Sequence, residues 1–340
     1  MIVILKTGAT AEQVSEVKSF LEEKGFSIHF SEGVEKTLLG AVGAPDQDKE
    51  LLKGQLVAYP QVEDVHIIAK PYKLVNRDFH PDNTVIDVCG VKIGGPEVVV
   101  MAGPCTVENP EMLFETAQMV KESGAKILRG GAYKPSTSPY SFHGMGIEGL
   151  KLLREAKGRT GLPIITEVMD TRDVDLVGEY TDIFQVGTRN MANFSLLKEI
   201  GNTRIPVMLK RGMSSTIEEW LQAAEYIASR GNYDIIMCER GIRTFETAYR
   251  NVLDVNAIGE IHQRSHLPVC GDASHGTGRW QLVPSSTKAA LAAGADCLMI
   301  EVHPNPRVAL KDGAQSQTFS DFRRLMSELR PLAEAIGRSM

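Results

Sequence analysis

A chain of 340 residues with 43% hydrophobic residues can bury a large core, and its length suggests about two domains. A formal charge of −6 and a pI near 5.8, with no run of Lys or Arg, argue against nucleic-acid partners, so a small anionic substrate would need a local basic pocket. No apolar run approaches the ~20 residues of a membrane helix, Met1–Thr7 is too short for a signal peptide, and five scattered cysteines without close pairing fit a reducing cytoplasm.

In chain order, the first seventy residues read as a separate small domain. Ile2–Leu5 alternates as a strand, and Ala11–Lys24 carries Val14, Val17, Phe20 and Leu21 at helical spacing before Gly25. Strands around Ser27–Phe30 and Lys36–Val42, a helix at Asp48–Val57 and a strand at Val62–Ile68 complete a β-α-β-β-α-β order, the ferredoxin-like pattern. His29 and His66 stand alone there, without a catalytic constellation. Pro71–Asn83 reads as an extended linker and the residues around Cys89-Gly90 as a short hairpin, so 71–97 joins the domain at 1–70 to a larger one at 98–340.

From Val98 the chain alternates strand and helix eight times. The predicted strands are Val98–Cys105, Lys126–Ala132, Pro163–Val168, Asp182–Gly187, Val207–Lys210, Asp234–Cys238, Pro268–Asp272 and Cys297–Val302. The clearest helices are Met112–Ser123, Ile217–Ser229, Thr287–Ala293 and Phe319–Ile336. Continuous apolar strands joined by amphipathic helices imply a parallel sheet, and eight near-equal units without GxGxxG predict a closed (β/α)8 TIM barrel over an open sheet.

A barrel gathers its chemistry at the C-terminal strand ends. There stand Cys105, Arg129 with Lys134, Glu167, Arg189, Lys210 with Arg211, Glu239 with Arg240, Asp272 with His275, and Glu301 with His303. The stretch KILRGGAYKPSTSPY, 126–140, is the richest: Gly130 and Gly131 permit close backbone approach, Arg129 offers a planar fork, and Lys134 a mobile ammonium. Any one such group is the expected solvated strand end; eight together predict one mouth for a substrate with several negative charges, most simply two phosphates and a carboxylate. Cys105, His275, Glu301 and Asp312 mix soft and hard donors in a way that suits a divalent transition ion. By itself a cysteine in an apolar strand is more often packing, and either Glu301 or His303 could be the ligand.

These residues carry a resemblance. MAGPC at 101–105, LRGGAYKP at 128–135, TSPYSFHG at 137–144, VGTRN at 186–190, LKRG at 209–212, CERGIRTFE at 238–246, DASHGTG at 272–278 and EVHPNP at 301–306 together resemble the 3-deoxy-D-arabino-heptulosonate 7-phosphate (DAHP) synthases. The chain is most similar to their metal-dependent type I β subtype, which carries an N-terminal ferredoxin-like regulatory domain. The resemblance implies condensation of phosphoenolpyruvate with erythrose 4-phosphate, the first step of the shikimate pathway. It also implies a metal (Mn, Fe, Co or Zn) on Cys105, His275, Glu301 and Asp312, and catalytic roles for Lys134, Glu167 and His275. Phosphoenolpyruvate contacts fall on Arg129, Lys134, Glu167, Arg189, Lys210 and Arg240; the aldose phosphate would meet Lys134, Ser136, Thr137 and the Asp272 region. Inhibition by an aromatic amino acid, Tyr or Phe, and a cytoplasmic homotetramer are further implications.

The chain departs from that pattern at Ser136, where the family usually has Arg, and at DASHG, where it usually has DPSHS- or DPSHA-like runs. One rival is 3-deoxy-D-manno-octulosonate 8-phosphate synthase, whose corresponding turn typically reads KANRS. Another is a Schiff-base aldolase with Lys210 as nucleophile, its pKa lowered by adjacent Arg211. A non-enzymatic sensor built on the ferredoxin-like domain is the third.

Overall fold

The computed structural model describes residues 1–33, 36–43, 49–67, 71–135 and 138–340, and the chain divides into two units, residues 1–83 with 264–266 and the remainder from 84 to 340. The expected contacts Ser136 and Thr137 lie outside the described residues, as do Asp48 and Ile68 at the ends of predicted elements.

In the first unit, β1 (Ile2–Leu5), α1 (Ala11–Glu23), β2 (Phe26–Glu32), β3 (Thr37–Gly43), α2 (Lys49–Val57) and β4 (Val62–His66) follow the predicted order. Helix α1 starts where Thr10 and Gln13 cap each other's backbone N–H groups. The four strands form one antiparallel sheet, β2-β3-β1-β4, with its core between Val3, Leu5 and Leu39 of the sheet and Val17, Leu21 and Leu56 of the helices. Residues 71–83 belong to this unit: Tyr72, Leu74, Val75 and Phe79 are buried, and Phe79 crosses so close to Gly40 that a Cβ there would lie 2.3 Å from its ring.

The second unit opens with an antiparallel hairpin, β5 (Ile86–Val88) and β6 (Val91–Ile93), turned by Cys89 and Gly90 in left-handed conformations. Eight parallel strands then close into a barrel: β7 (Val99–Gly103), β8 (Ile127–Arg129), β9 (Ile164–Glu167), β10 (Ile183–Val186), β11 (Val207–Lys210), β12 (Ile235–Glu239), β13 (Val269–Asp272) and β14 (Cys297–Glu301). Every residue of these strands is buried, as sheets covered on both faces require.

The helices between them are α3 (Pro110–Glu122), α4 (Ile147–Thr160), α5 (Val174–Gly178), α6 (Phe194–Gly201), α7 (Ile217–Ala228), α8 (Val255–Arg264), the short α9 (Ala273–Thr277) with α10 (Val283–Ala292), and α11 (Phe319–Ala335). Ile86, Val88 and Ile93 of the hairpin pack with Val99, Ile127 and Ile183, the first residues of three barrel strands. The hairpin therefore stops the barrel at the end opposite the C-terminal strand ends. No helix among the described residues is long and apolar enough to cross a membrane.

Candidate active site at the barrel mouth

Asp272, the last residue of β13, organises the floor of the mouth. Its Oδ1 accepts the His275 backbone N–H at 3.1 Å and so caps α9, while Oδ2 accepts Lys210 Nζ at 2.7 Å and His275 Nδ1 at 2.8 Å. Burial alone would raise this carboxyl, but His275 and Lys210 hold it well below the ordinary carboxylate range. Burial pushes His275 down to about 4, against Asp272 and Glu301, so the ring is neutral near pH 7. With its proton on Nδ1, pinned by Asp272, the bare Nε2 faces Glu301 Oε1 at 3.3 Å. Two acceptors at that distance repel unless a cation lies between them.

Cys105 and Asp312 complete the surroundings of that gap. Donor atoms of Cys105, Glu301 and Asp312 all lie within 4.8 Å of one another, and the Cys105 thiol donates to Asp312 Oδ2 at 3.2 Å. Burial first, then the Glu301 charge, push the Cys105 thiol far up, whereas Lys134, His275 and Arg250 outweigh burial at Asp312 and hold it low. Asp312 sits at φ +51, in the left-handed region that aspartate tolerates, which lets its carboxylate face the cysteine. One thiol, one neutral imidazole aimed by a carboxylate and two carboxylates fit a mid-series divalent ion. The Cys105 proton would leave as such an ion binds.

Above this cluster opens a cavity of about 750 Å3, its open solvent included, whose lining brings together Lys134, Glu167, Arg189, Lys210, Arg240, His275 and Asp312. Arg240 is 3% exposed, has no carboxylate within ion-pair distance among the described residues, and leaves Nε without a hydrogen-bond partner; its Nη1 donates to Gly241 O at 3.3 Å. Burial lowers its pKa, the mark of a cation lacking the anion that would compensate it. Glu167 Oε2 accepts from Gln185 at 3.2 Å while Oε1 is buried and unbonded. A Cβ on Gly187 would lie 2.0 Å from that Oε1, so glycine is what admits the carboxylate. Lys134 Nζ lies 3.6 Å from Asp312 Oδ2; burial would lower its pKa, but Glu301 and Glu167 are among the groups that overcome this and keep it an ammonium.

Other strand-end residues point elsewhere. Arg129 lies beneath the cavity, its Nη1 donating to Glu301 Oε1 and Pro104 O, both at 2.8 Å. Arg211 turns away from Lys210: it pairs with Glu239 and Asp254, both at 2.9 Å, and neither it nor Glu239 lines the cavity. The expectation that Arg211 sits beside the Lys210 ammonium is thereby corrected, because successive strand residues alternate in direction. His303 does not share the face of Glu301 either: β14 has ended, and its ring accepts Asn305 N–H at Nδ1 and faces Glu108 with Nε2. Three polar lining residues escaped the sequence reading, Gln185, Arg250 and Lys311. Gln185 had a visible signal, a lone amide in the apolar run Ile183–Val186; the other two lie in loops without periodicity.

Residues 61–337 match the DAHP synthetase I family and residues 1–70 the DAHP synthase ferredoxin-like domain. The chain belongs to the DAHP synthetase I family. Across 337 residues, 99% of each chain, it is 49% identical to the phospho-2-dehydro-3-deoxyheptonate aldolase of Thermotoga maritima. The crystal structure of that organism's phospho-2-dehydro-3-deoxyheptonate aldolase (DAHP synthase) superposes with a TM-score of 0.79 at 48% identity, covering 99% of this chain and 98% of the other. More distantly, the 2-dehydro-3-deoxyphosphooctonate aldolase of Protochlamydia amoebophila is 32% identical over 265 residues, 72% of this chain and 95% of that one. As a member of the family, the chain is an enzyme, an aldol-type transferase.

Proposed function

We propose that the barrel mouth condenses phosphoenolpyruvate with erythrose 4-phosphate, releasing DAHP and inorganic phosphate, with a divalent transition ion bound beside the reactants. The observation that carries this reading is Arg240, a buried guanidinium lining the cavity with no carboxylate within ion-pair distance among the described residues, together with Lys210 and Arg189 in the same lining. Such a wall is a seat for a phosphate dianion.

The chemistry follows from the groups around it. C3 of the enol phosphate attacks the aldehyde carbon, its π pair forming the new C–C bond, while the aldehyde oxygen becomes a hydroxyl by taking a proton from Lys134, which holds one at neutral pH. An ion held by Cys105, His275, Glu301 and Asp312 would supply Lewis-acid polarisation of that oxygen, an effect worth several kcal/mol; Mn, Fe, Co or Zn suits the donor set. Water then adds at the electron-poor C2, losing a proton, and phosphate departs with its bridging oxygen. Glu167, with Oε1 unbonded, is suited to orient that water. Arg189, Lys210 and Arg240 would hold the phosphate throughout, so both reactants meet in attack geometry.

A Schiff base on Lys210 is disfavoured because Nζ is locked to Asp272 at 2.7 Å and Arg211 is engaged elsewhere. Feedback by an aromatic amino acid has a seat of matching chemistry in the first unit. A cleft there offers Ile4 and Leu38 to a ring, Lys36 to a carboxylate, and Asp78 and Asp82 to an ammonium. The test is phosphate release from phosphoenolpyruvate with erythrose 4-phosphate, and separately with arabinose 5-phosphate, each with and without chelator. Release with the four-carbon sugar that EDTA abolishes and added metal restores is expected. Preference for the five-carbon sugar, or full activity in EDTA, would overturn the proposal.

A further inference from the structure

The condensation needs two phosphates in one cavity, and Arg189, Lys210 and Arg240 supply only one seat. The sequence that follows β8, KPSTSPY from 134 to 140, carries no cation besides Lys134. We propose that Arg250, assisted by Lys311, is the seat for the phosphate of the aldehyde substrate and so sets the enzyme's preference for a phosphorylated aldose. The inference rests on the function proposed above and assigns the second of its two substrates.

Arg250 reaches the cavity from the long connection between β12 and α8, and Lys311 from the loop after β14. Both therefore enter from the rim, away from the strand-end cations of the floor. Arg250 is built into place. Its backbone N–H donates to Thr277 O at 3.1 Å, the next residue's to Gly276 O, and Asn251 Nδ2 to His275 O, which ties the segment to the short helix carrying His275. Gly278, at φ +67, makes room for it: a Cβ there would lie 2.5 Å from the Arg250 Cβ.

The guanidinium is oriented without being consumed. Nη1 donates to Gln315 Oε1 at 2.9 Å, and its distance to Asp312 Oδ1 is 3.6 Å, longer than a charge-assisted hydrogen bond. Gln315 in turn donates to Glu301 Oε2 at 2.6 Å, so the fork is aimed by the same carboxylate that borders the expected ion. With 38% of the side chain exposed, Arg250 can take a dianion arriving from solvent, and Lys311 adds a second positive charge on the same rim.

The experiment compares two aldehydes, erythrose 4-phosphate and unphosphorylated erythrose, in the metal-loaded full-length enzyme. The ratio of their kcat/KM values is measured for wild type, Arg250→Gln, Arg250→Lys and Lys311→Gln. We expect the ratio to fall at least tenfold in R250Q and less in R250K and K311Q. In parallel, the rise in Tm that wild type shows with erythrose 4-phosphate should be lost in R250Q, while the rise with phosphoenolpyruvate persists. A ratio unchanged in R250Q, or a loss shared equally by both aldehydes, would overturn the assignment of Arg250. Absence of wild-type turnover with erythrose 4-phosphate would instead overturn the proposed function, so the two failures are distinguishable.

Discussion

Arg240 shows how a single residue is shaped by its ligand more than by the fold. A guanidinium that is 3% exposed without a carboxylate partner costs stability, and burial depresses its pKa accordingly. Arg240→Met keeps most of the volume and removes the desolvated charge. We expect it to raise Tm by about 1–3 °C, since an unfolding entropy of about 2.1 cal/mol/K per residue makes ~1 kcal/mol correspond to roughly 1.4 °C in a chain of this size. The same change should lower kcat/KM for phosphoenolpyruvate by at least about a hundredfold, the scale of two lost charge-assisted hydrogen bonds. Differential scanning calorimetry with steady-state kinetics reads both effects, and a variant less stable than wild type would show that Arg240 serves packing.

At the scale of elements, the strands were legible because all eight are largely apolar runs of three to five core residues bounded by turn chemistry. Their predicted ends coincide with the observed ones at β11 and differ by at most three residues elsewhere, as at β8, which shrinks from Lys126–Ala132 to Ile127–Arg129. Which strand-end side chains share a partner was not legible. Lys210 and Arg211 are neighbours in sequence, yet one binds Asp272 inside the mouth and the other Glu239 and Asp254 outside it. The segment 71–83 reads as a linker because its prolines hide its apolar content, but four of its apolar side chains are buried, as is Asn76.

That packing makes stability depend on pH. His266, grouped with the first unit, bonds Leu74 O at 2.9 Å, and burial lowers its pKa from 6.5 to about 4. The unfolded chain then binds the extra proton between those values. The contribution is complete above pH 6.5 and lost as pH falls toward 4, up to about 3 kcal/mol. His266→Gln keeps a donor for Leu74 and cannot titrate. Its thermal midpoint should fall less than that of wild type between pH 7 and pH 4.5; equal slopes would assign the effect to other groups.

For the whole molecule, residues 1–70 and 61–337 match separate families, and the first unit carries none of the groups proposed for catalysis. We predict that removing residues 1–83 leaves phosphate release intact and abolishes any response to Tyr or Phe. A cut after residue 83 is preferred to one after 70 because the shorter cut takes Gly40 away from the Phe79 ring that packs against it. Inhibition that survives the cut would relocate the effector to the barrel.

The β5–β6 hairpin has one more consequence. A barrel corked at its base has a single doorway, so reactants and products must share one corridor. Arg240 lies at its inner end and Arg250 at its threshold. On the seating proposed above, the guest bound for the inner chamber enters before the one that lodges in the entrance, and traffic through the enzyme takes an order from that shape.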